Sequence, residues 1–246
     1  MKLIILAAGK SSRIFNHIKK NKCLIKIKNI TILENIIQNS IKNNISKIEV
    51  VIGYNPGKII KSLKKYKNIS FVVNKKYNTT DMVYSSILSL KNTTDDVIIT
   101  YSDIFYNADL LDQILKKRKK NILVPYSKKW KKIWKVRKKD IFQDAETFKL
   151  NKKNKIIEIG NKITKSNLKN VEGQFLGLIY IPVKMVKPFI QKYKRIKQKK
   201  IQFTGFLNLL IKKFKFNIDT VKYNGQWYEF DDHGDLKNFR RNKLNV

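Results

Sequence analysis

The sequence contains one cysteine, Cys23, so an intramolecular disulfide is excluded. No stretch rich in Pro, Gly and Ser divides the chain, and no internal repeat recurs at periods of roughly 20–50 residues. No run approaches the ~20 apolar residues of a membrane-spanning helix. The apolar run over 3–8 is too short for a signal peptide core, and Lys10 and Arg13 follow at once. We therefore expect a single domain over 1–246 in a soluble, cytoplasmic protein.

Acidic residues are scarce: 18 Asp and Glu stand against 54 Lys and Arg, and the net charge is +36. Such a charge suggests binding to nucleic acid or to a membrane surface. However, lysines greatly outnumber arginines, whereas base recognition and bidentate phosphate contacts favour Arg. The lysines are also spread along the whole chain, as in the product of an AT-rich genome. We expect no specific nucleic-acid partner, but a field that attracts small anionic substrates.

Apolar runs alternate with amphipathic segments through the first half of the chain. With 42% hydrophobic residues, the chain has enough apolar side chains for a sizeable core. The alternation is typical of βαβ units, and it predicts an α/β fold with a Rossmann-like, doubly wound, mainly parallel but mixed sheet. Strands are predicted over 3–8, 48–52, 69–73, 97–101 and 122–125, and helices over 32–41, from 56, over 82–90 and over 110–115.

The pattern changes at 127, where a basic segment with two tryptophans begins. We interpret 127–172 as an acceptor-binding insertion over the active-site face. The predicted elements beyond 127 are strands over 148–150, 156–159, 175–181 and 227–230, and helices over 185–193 and 206–214.

A glycine loop follows the first predicted strand. Small residues there let backbone amides approach a nucleotide, while hydroxyls and cations face phosphate oxygens. The spacing is neither that of a Walker loop nor that of the dinucleotide GxGxxG. The candidate nucleotide-binding residues are Leu6, Ala7, Ala8, Gly9, Lys10, Ser11 and Ser12, followed by Arg13. Ligands of doubly wound sheets bind beyond the carboxyl ends of the strands, and both this loop and Asp103 lie at such ends.

Carboxylates form a second candidate site. Asp103 ends the fourth predicted strand, and Glu229 and Asp231 alternate along a late strand, which places both on one face. Triphosphate chemistry needs a hard divalent cation, and Mg²⁺ takes a few carboxylates plus phosphate oxygens and water. Asp232 or Asp235 is an alternative ligand, and Asp235 is also a candidate helix N-cap.

The loop, together with Asn21, Lys22, Cys23 and Leu24, resembles the LAAGxGSR…PKxL signature of the nucleotidyltransferase superfamily. That superfamily activates sugar phosphates, phosphocholine and phosphonates. Ser11 stands where the signature often has Gly, and Asn21 replaces its Pro. The resemblance implies that Arg13 and Lys22 are catalytic, gripping the triphosphate and stabilising the reacting α-phosphate. It also implies a magnesium site formed by Asp103, Glu229 and Asp231.

Residues 77–85 are similar to the YxxTNMVYS stretch of some of these enzymes, with Asp81 in place of Asn. The resemblance implies that this segment lines the base, with Ser85 in contact with it, and Thr80 and Tyr101 complete the predicted nucleotide-binding residues. A helix start capped by Thr80 or Asp81 is an equally good interpretation, and the two are compatible.

A fourth group resembles the WxxxWxxR…DAE…EGQ pattern of cytidylyltransferases that act on phosphonates, phosphocholine or phosphoglutamine. Arg137 offers a planar fork for a phosphonate, and Trp130 a cation–π face. Asp144 and Glu146 suit a substrate ammonium. With Gln174 from the same pattern, the predicted acceptor-binding residues are Trp130, Arg137, Asp144, Glu146 and Gln174.

These observations predict a Mg²⁺-dependent cytidylyltransferase. It transfers CMP from CTP to 2-aminoethylphosphonate, 2-hydroxyethylphosphonate or a phosphocholine-like acceptor, and it releases pyrophosphate. A sugar-1-phosphate nucleotidyltransferase is one alternative, although it would need a longer sugar-binding region than 127–172. A basic nucleic-acid or membrane-surface binding protein on a degenerate fold is another. The sequence leaves open whether the protein forms a homodimer.

Overall fold

A computed structural model of the protein describes residues 1–14, 21–27, 29–137, 141–198 and 200–241. Its strands are β1 (Lys2–Ala7), β2 (Lys26–Ile27), β3 (Ile30–Thr31), β4 (Lys47–Ile52), β5 (Ile69–Val73), β6 (Val97–Tyr101), β7 (Ile104–Tyr106), β8 (Ile122–Ser127), β9 (Glu146–Leu150), β10 (Ile156–Lys162), β11 (Gln174–Phe175), β12 (Leu178–Ile181), β13 (Ile218–Lys222) and β14 (Trp227–Glu229). Its α-helices are α1 (Ile32–Lys42), α2 (Pro56–Leu63), α3 (Met82–Leu90), α4 (Asp109–Lys117), α5 (Trp130–Arg137), α6 (Val183–Lys194), α7 (Phe203–Lys212) and α8 (His233–Arg241).

The central sheet has eight strands in the order β11-β8-β12-β6-β1-β4-β5, and β13 pairs with β8. Strands β5, β4, β1 and β6 run parallel to one another. Strand β12 runs antiparallel to β6 and to β8, while β13 is parallel to β8. The predicted mixed, mainly parallel sheet is therefore confirmed. Strands from both halves of the chain join it.

Strand β1 lies at the centre of the sheet, where both faces are covered. Leu3 and Ile5 belong to one buried cluster, and Ile4 and Leu6 belong to the other. Side chains alternate between the faces of a strand, so a continuous apolar run fills both layers of the core at once. Helix α1 packs on the first face through Ile32, Leu33 and Ile36, and α3, α6 and α7 cover the second.

Three predictions of local structure are corrected. The strand predicted over 175–181 is broken between β11 and β12, because Gly177 adopts a φ of +78° that no regular strand allows. The basic segment after 127 contains a helix, α5, that was not predicted. The last helix begins at His233, two residues before the predicted N-cap Asp235. Asp232 accepts a hydrogen bond from the backbone N–H of Asp235 at 3.0 Å, and Asp235 accepts one from that of Asp232 at 3.1 Å. The two form a reciprocal cap.

Within the described part of the chain, no helix is both long and apolar enough to span a membrane.

Candidate active site

A cavity of about 640 Å³ opens at the carboxyl ends of β1 and β6. The two strands pair in parallel with Leu6 beside Tyr101, so the loops that follow them meet at the same edge of the sheet. The predicted site residues that line the cavity are Leu6, Ala7, Gly9, Ser11, Ser12, Arg13, Lys22, Tyr101, Asp103, Asp144, Glu146, Gln174, Glu229 and Asp231. Residues from the glycine loop, the acidic group and the segment 127–172 thus come together.

The glycine loop turns sharply at Ser11, whose φ is +57°. Glycine adopts this left-handed conformation most easily, which explains why the LAAGxGSR signature often has Gly at this position. Ser11 Oγ accepts a hydrogen bond from the backbone N–H of Lys22 at 3.1 Å, which ties the loop to the second half of the signature. Ala8 and Lys10 do not line the cavity. Ala8 is buried and its carbonyl accepts from the backbone N–H of Tyr54 at 3.0 Å, while Lys10 lies on the exposed surface.

Lys22 lies between two of the predicted metal ligands. Its Nζ is 2.9 Å from Oδ2 of Asp103 and 2.8 Å from Oδ1 of Asp231. Burial by itself lowers the pKa of Lys22, but the two carboxylates outweigh burial and raise it well above the ordinary value. For Asp231 the signs are reversed: burial raises its pKa, but the positive charges of Lys22 and Arg13 bring that pKa below its usual range. Arg13, with a side chain 67% exposed, forms an ion pair with the other oxygen of Asp231.

The pairing of β14 with β7 places Glu229 and Asp231 beside Asp103 on the cavity wall. Glu229 lies opposite Ile104, and the backbone N–H of Phe230 donates to the carbonyl of Asp103 at 2.9 Å. Phe230 points into the core, so Glu229 and Asp231 face the cavity as the alternation predicted. Burial raises the pKa of Glu229 above its ordinary value; Arg137 opposes the shift, while Asp103, Asp231 and Asp144 add to it.

The predicted three-carboxylate metal site is not assembled in this structure. Among the described residues, no group of three or more His, Cys, Asp or Glu side chains is arranged to hold a metal ion. The physical reason is that cations already occupy the carboxylates: Lys22 bridges Asp103 and Asp231, and Arg137 Nη1 is 2.9 Å from Oε2 of Glu229. Asp235, the alternative ligand, has both oxygens engaged by Arg137 and by backbone N–H groups.

The acceptor side of the site differs from the prediction at two residues. Arg137 is fully buried behind the cavity wall, held by carboxylates of the protein itself, so its side chain is not placed to contact an acceptor. Trp130 is also buried in the core, and its neighbour Trp134 lines the cavity instead. Trp134 stacks on Trp227 with ring centroids 6.0 Å apart, and its Nε1 has no hydrogen-bond partner among the described residues.

Glu146 and Gln174 lie on the cavity wall as predicted. Glu146 Oε1 accepts a hydrogen bond from Thr204 Oγ1 at 3.2 Å. Burial raises the pKa of Glu146, and the negative charge of Asp144 adds to this shift. A cationic group bound in the cavity would relieve both effects.

The segment predicted to line the base contributes different residues from those expected. Ser85 is buried, and its Oγ accepts a hydrogen bond from Asn74 Nδ2 at 3.0 Å. Thr80 Oγ1 donates a hydrogen bond to the carbonyl of Lys76 at 2.7 Å. Neither is on the cavity wall, whereas Asp81 and Met82 are. The helix-start interpretation also applies, because Asp81 caps α3 by accepting from the backbone N–H of Met82 at 2.8 Å.

The family model of the MobA-like NTP transferase domain matches residues 3–166. The chain belongs to this family. The resemblance seen in the sequence is confirmed, and the chain is a nucleotidyltransferase. It is 30% identical, over 253 aligned residues, to the CTP:phosphoglutamine cytidylyltransferase of Campylobacter jejuni, with 96% of this chain and 98% of that protein covered.

Solved structures share the fold over the full length. The inositol-1-phosphate CTP transferase from T. maritima superposes with a TM-score of 0.76 at 17% identity, covering 100% of this chain and 97% of that one. The CTP:phosphocholine cytidylyltransferase from Streptococcus pneumoniae superposes with a TM-score of 0.70 at 15% identity, covering 98% of each chain. At these identities the likeness establishes the fold alone.

The prediction missed several residues of the cavity wall. Thr204 and Gln202 come from the start of α7, and Trp227 from β14. Nothing local marks the first two, because their position follows from the packing of α7 against β10. Trp227 lies two positions before Glu229, and the same period-two alternation that placed Glu229 would have placed it.

Proposed function

We propose that this nucleotidyltransferase transfers CMP from CTP to a small phosphorylated or phosphonylated acceptor and releases pyrophosphate. An anionic acceptor oxygen attacks the α-phosphorus of CTP. The bond from that phosphorus to the bridging oxygen breaks, and pyrophosphate leaves with the electron pair. The acceptor oxygen is already ionised near neutral pH and needs no general base. The protein's task is positioning and charge neutralisation.

The observation that carries the proposal is the position of Lys22 and Arg13. Both line the cavity beside the glycine loop, and both contact Asp231. A triphosphate in the cavity offers the two cations anionic oxygens in place of the carboxylates. In that position they stabilise the charge that develops on the α- and β-phosphates during the transfer.

Asp103 and Asp231 are the residues we propose to hold Mg²⁺. Mg²⁺ is usually bound through one or two carboxylates together with substrate phosphates and water, so two carboxylates that converge on one cation fit it. When bound, the ion would neutralise the phosphate oxygens during the transfer. Glu229 is proposed to support this pair from the cavity wall rather than to complete a ready-made cage.

The acceptor is proposed to carry an anionic phosphate or phosphonate at one end and an amine at the other. The names of the C. jejuni and S. pneumoniae relatives specify phosphoglutamine and phosphocholine. Asp144 and Glu146 on the cavity wall supply negative charge suited to an ammonium group. 2-Aminoethylphosphonate belongs to this class, and 2-hydroxyethylphosphonate carries an uncharged hydroxyl in place of the ammonium group.

A pyrophosphate-release screen tests the proposal. The purified protein is offered CTP, UTP, ATP or GTP with each of phosphoglutamine, phosphocholine, phosphoethanolamine, 2-aminoethylphosphonate, 2-hydroxyethylphosphonate, inositol 1-phosphate and glucose 1-phosphate, with Mg²⁺ or with EDTA. We expect release with CTP and an amine-bearing acceptor, in the presence of Mg²⁺ only. Preference for glucose 1-phosphate would establish the sugar-phosphate alternative, and release with every triphosphate alike would contradict the choice of CTP.

The binding-protein alternative has its own test. A filter-binding assay with RNA and duplex DNA at physiological salt should show weak retention. Tight binding that weakens steeply as salt rises would instead establish a polyanion-binding role.

A further inference from the structure

Arg137 connects three carboxylates that belong to different parts of the chain. Its Nη1 is 2.9 Å from Glu229, its Nη2 is 3.5 Å from Asp144, and its Nε is 3.2 Å from Asp235. The guanidinium also lies 4.6 Å from the ring centroid of Trp134. Its side chain has no exposed surface, and neither has that of Asp235, whereas the side chains of Glu229 and Asp144 are partly exposed. Glu229, Asp144 and Trp134 themselves line the cavity.

Asp235 links Arg137 to Asp231 through hydrogen bonds to both residues. Its Oδ1 and Oδ2 accept from Nε and Nη2 of Arg137 at 3.2 and 3.3 Å, as a fork pairs with a carboxylate. Oδ2 also accepts from the backbone N–H of Asp231 at 2.8 Å. Asp231 is the residue that holds Lys22 and Arg13. One guanidinium is therefore linked to two cavity-lining carboxylates: to Glu229 by an ion pair, and to Asp231 through the hydrogen bonds of Asp235.

We propose that Arg137 is a positioning residue that aligns Glu229 and Asp231 for the metal-bound triphosphate. The inference rests on the proposed function, because it assigns a role in the same site. Arg137 itself touches neither substrate.

The chemistry of the cluster explains why an arginine is needed. Three carboxylates around one point repel one another, and a single guanidinium balances their charge: it hydrogen-bonds Asp235 and forms ion pairs with Glu229 and Asp144. An ammonium group is a point charge that cannot reproduce the fork towards Asp235. Partners that orient a metal ligand affect metal affinity or activity by about 10–100-fold when they are lost.

The test compares Arg137→Lys and Asp235→Asn with wild type. Calorimetry measures CTP binding with Mg²⁺ and with EDTA, and steady-state kinetics separate kcat from the KM of each substrate. We expect Mg²⁺-dependent CTP binding to weaken by about tenfold or more in both variants, while CTP binding in EDTA and the acceptor KM change by less than about threefold. The double variant should be no worse than the poorer single variant, because both act through one connection.

Ile133→Ala is the control, since Ile133 lies on the same helix, packs against the core and is not on the cavity wall. It should lower the melting temperature and leave Mg²⁺-dependent CTP binding intact. If Arg137→Lys behaves like this control, Arg137 only stabilises the fold. If Arg137→Lys raises the acceptor KM and spares CTP, Arg137 contacts the acceptor. Either result overturns the positioning role.

The binding measurement needs no turnover, so the two proposals can fail separately. Wild-type protein that binds CTP with Mg²⁺ but releases no pyrophosphate contradicts the proposed function alone. Wild-type turnover together with unchanged binding in both variants contradicts the positioning role alone.

Discussion

Lys22 and Asp103 form an ion pair of 2.9 Å on the wall of the cavity, although they lie 81 positions apart in the chain. Asp231 contacts the same ammonium group at 2.8 Å, so Lys22 lies at the point where the two carboxylates converge. The arrangement has a consequence for metal binding. A triphosphate that draws Lys22 towards its phosphates would free both carboxylates for Mg²⁺.

Replacement of Lys22 should therefore have opposite effects on two measurements. Lys22→Met should lower kcat by about a hundredfold or more, because a cation that stabilises the transferring phosphate is lost. The same variant should bind Mn²⁺ more tightly than wild type in the absence of nucleotide, since Asp103 and Asp231 lose their competing cation. Electron paramagnetic resonance of free Mn²⁺ measures the second effect. Lys47→Met, which removes an exposed ion pair with Asp95, is the control. Unchanged Mn²⁺ affinity in Lys22→Met would contradict the competition.

Asp103→Asn should reduce turnover by about a hundredfold or more while the melting temperature stays near that of wild type. The amide keeps the shape of the side chain but loses the negative charge proposed to hold Mg²⁺. Asp112→Asn offers a matched control, because Asp112 forms an ion pair with Lys116 on the surface of α4 and lies outside the cavity wall. Substantial pyrophosphate release by Asp103→Asn would sink the metal assignment.

Replacement of the two tryptophans of α5 should affect the acceptor KM differently. Trp134 lines the cavity and stacks on Trp227 with ring centroids 6.0 Å apart, so its ring shapes the acceptor wall, and such an aromatic pair is worth about 0.5–1.5 kcal/mol beyond its buried area. Trp134→Leu should raise the acceptor KM by about two- to tenfold. Trp130→Leu should lower the melting temperature with an unchanged KM, because Trp130 is buried away from the cavity. Equal KM values in the two variants would remove Trp134 from the acceptor wall.

Glu146 should make stability depend on pH. Its pKa is raised, chiefly by burial, so the folded protein retains a proton that the unfolded chain gives up above pH 4.5. The folded state then binds more protons than the unfolded state, and stability falls as pH rises from about that value through the raised pKa. The melting temperature of Glu146→Gln should fall less over this window than that of wild type.

Glu158→Gln provides the control of opposite sign. A hydrogen bond from Asn161 and one from Thr147 lower the pKa of Glu158, despite some burial. Its contribution to stability is present above pH 4.5 and is lost as pH falls through the lowered pKa. Melting temperatures of the two variants that differ from wild type with the same pH dependence would contradict one of the two assignments.

Much of the fold follows from patterns that the sequence displays locally. Strand β6 occurs where its apolar run predicted it, because burial on both faces requires continuous apolar residues, and β5 and α3 also coincide with their predicted ranges. The meeting of Gly9 and Asp103 could also be predicted, since carboxyl ends of neighbouring parallel strands share one edge. Helix α5 carries Trp130, Trp134 and Arg137 at a helical spacing, but the surrounding lysines obscured it.

The sequence by itself determined the family, the α/β sheet and the edge at which the site lies, because signature motifs and the spacing of apolar residues are local properties. Tertiary structure alone decided that Arg137 is enclosed by Glu229, Asp144 and Asp235, and that Lys22 bridges Asp103 and Asp231. Charged side chains are buried only when partners from distant segments reach them, and those partners depend on how β14 and α8 pack against the rest of the chain.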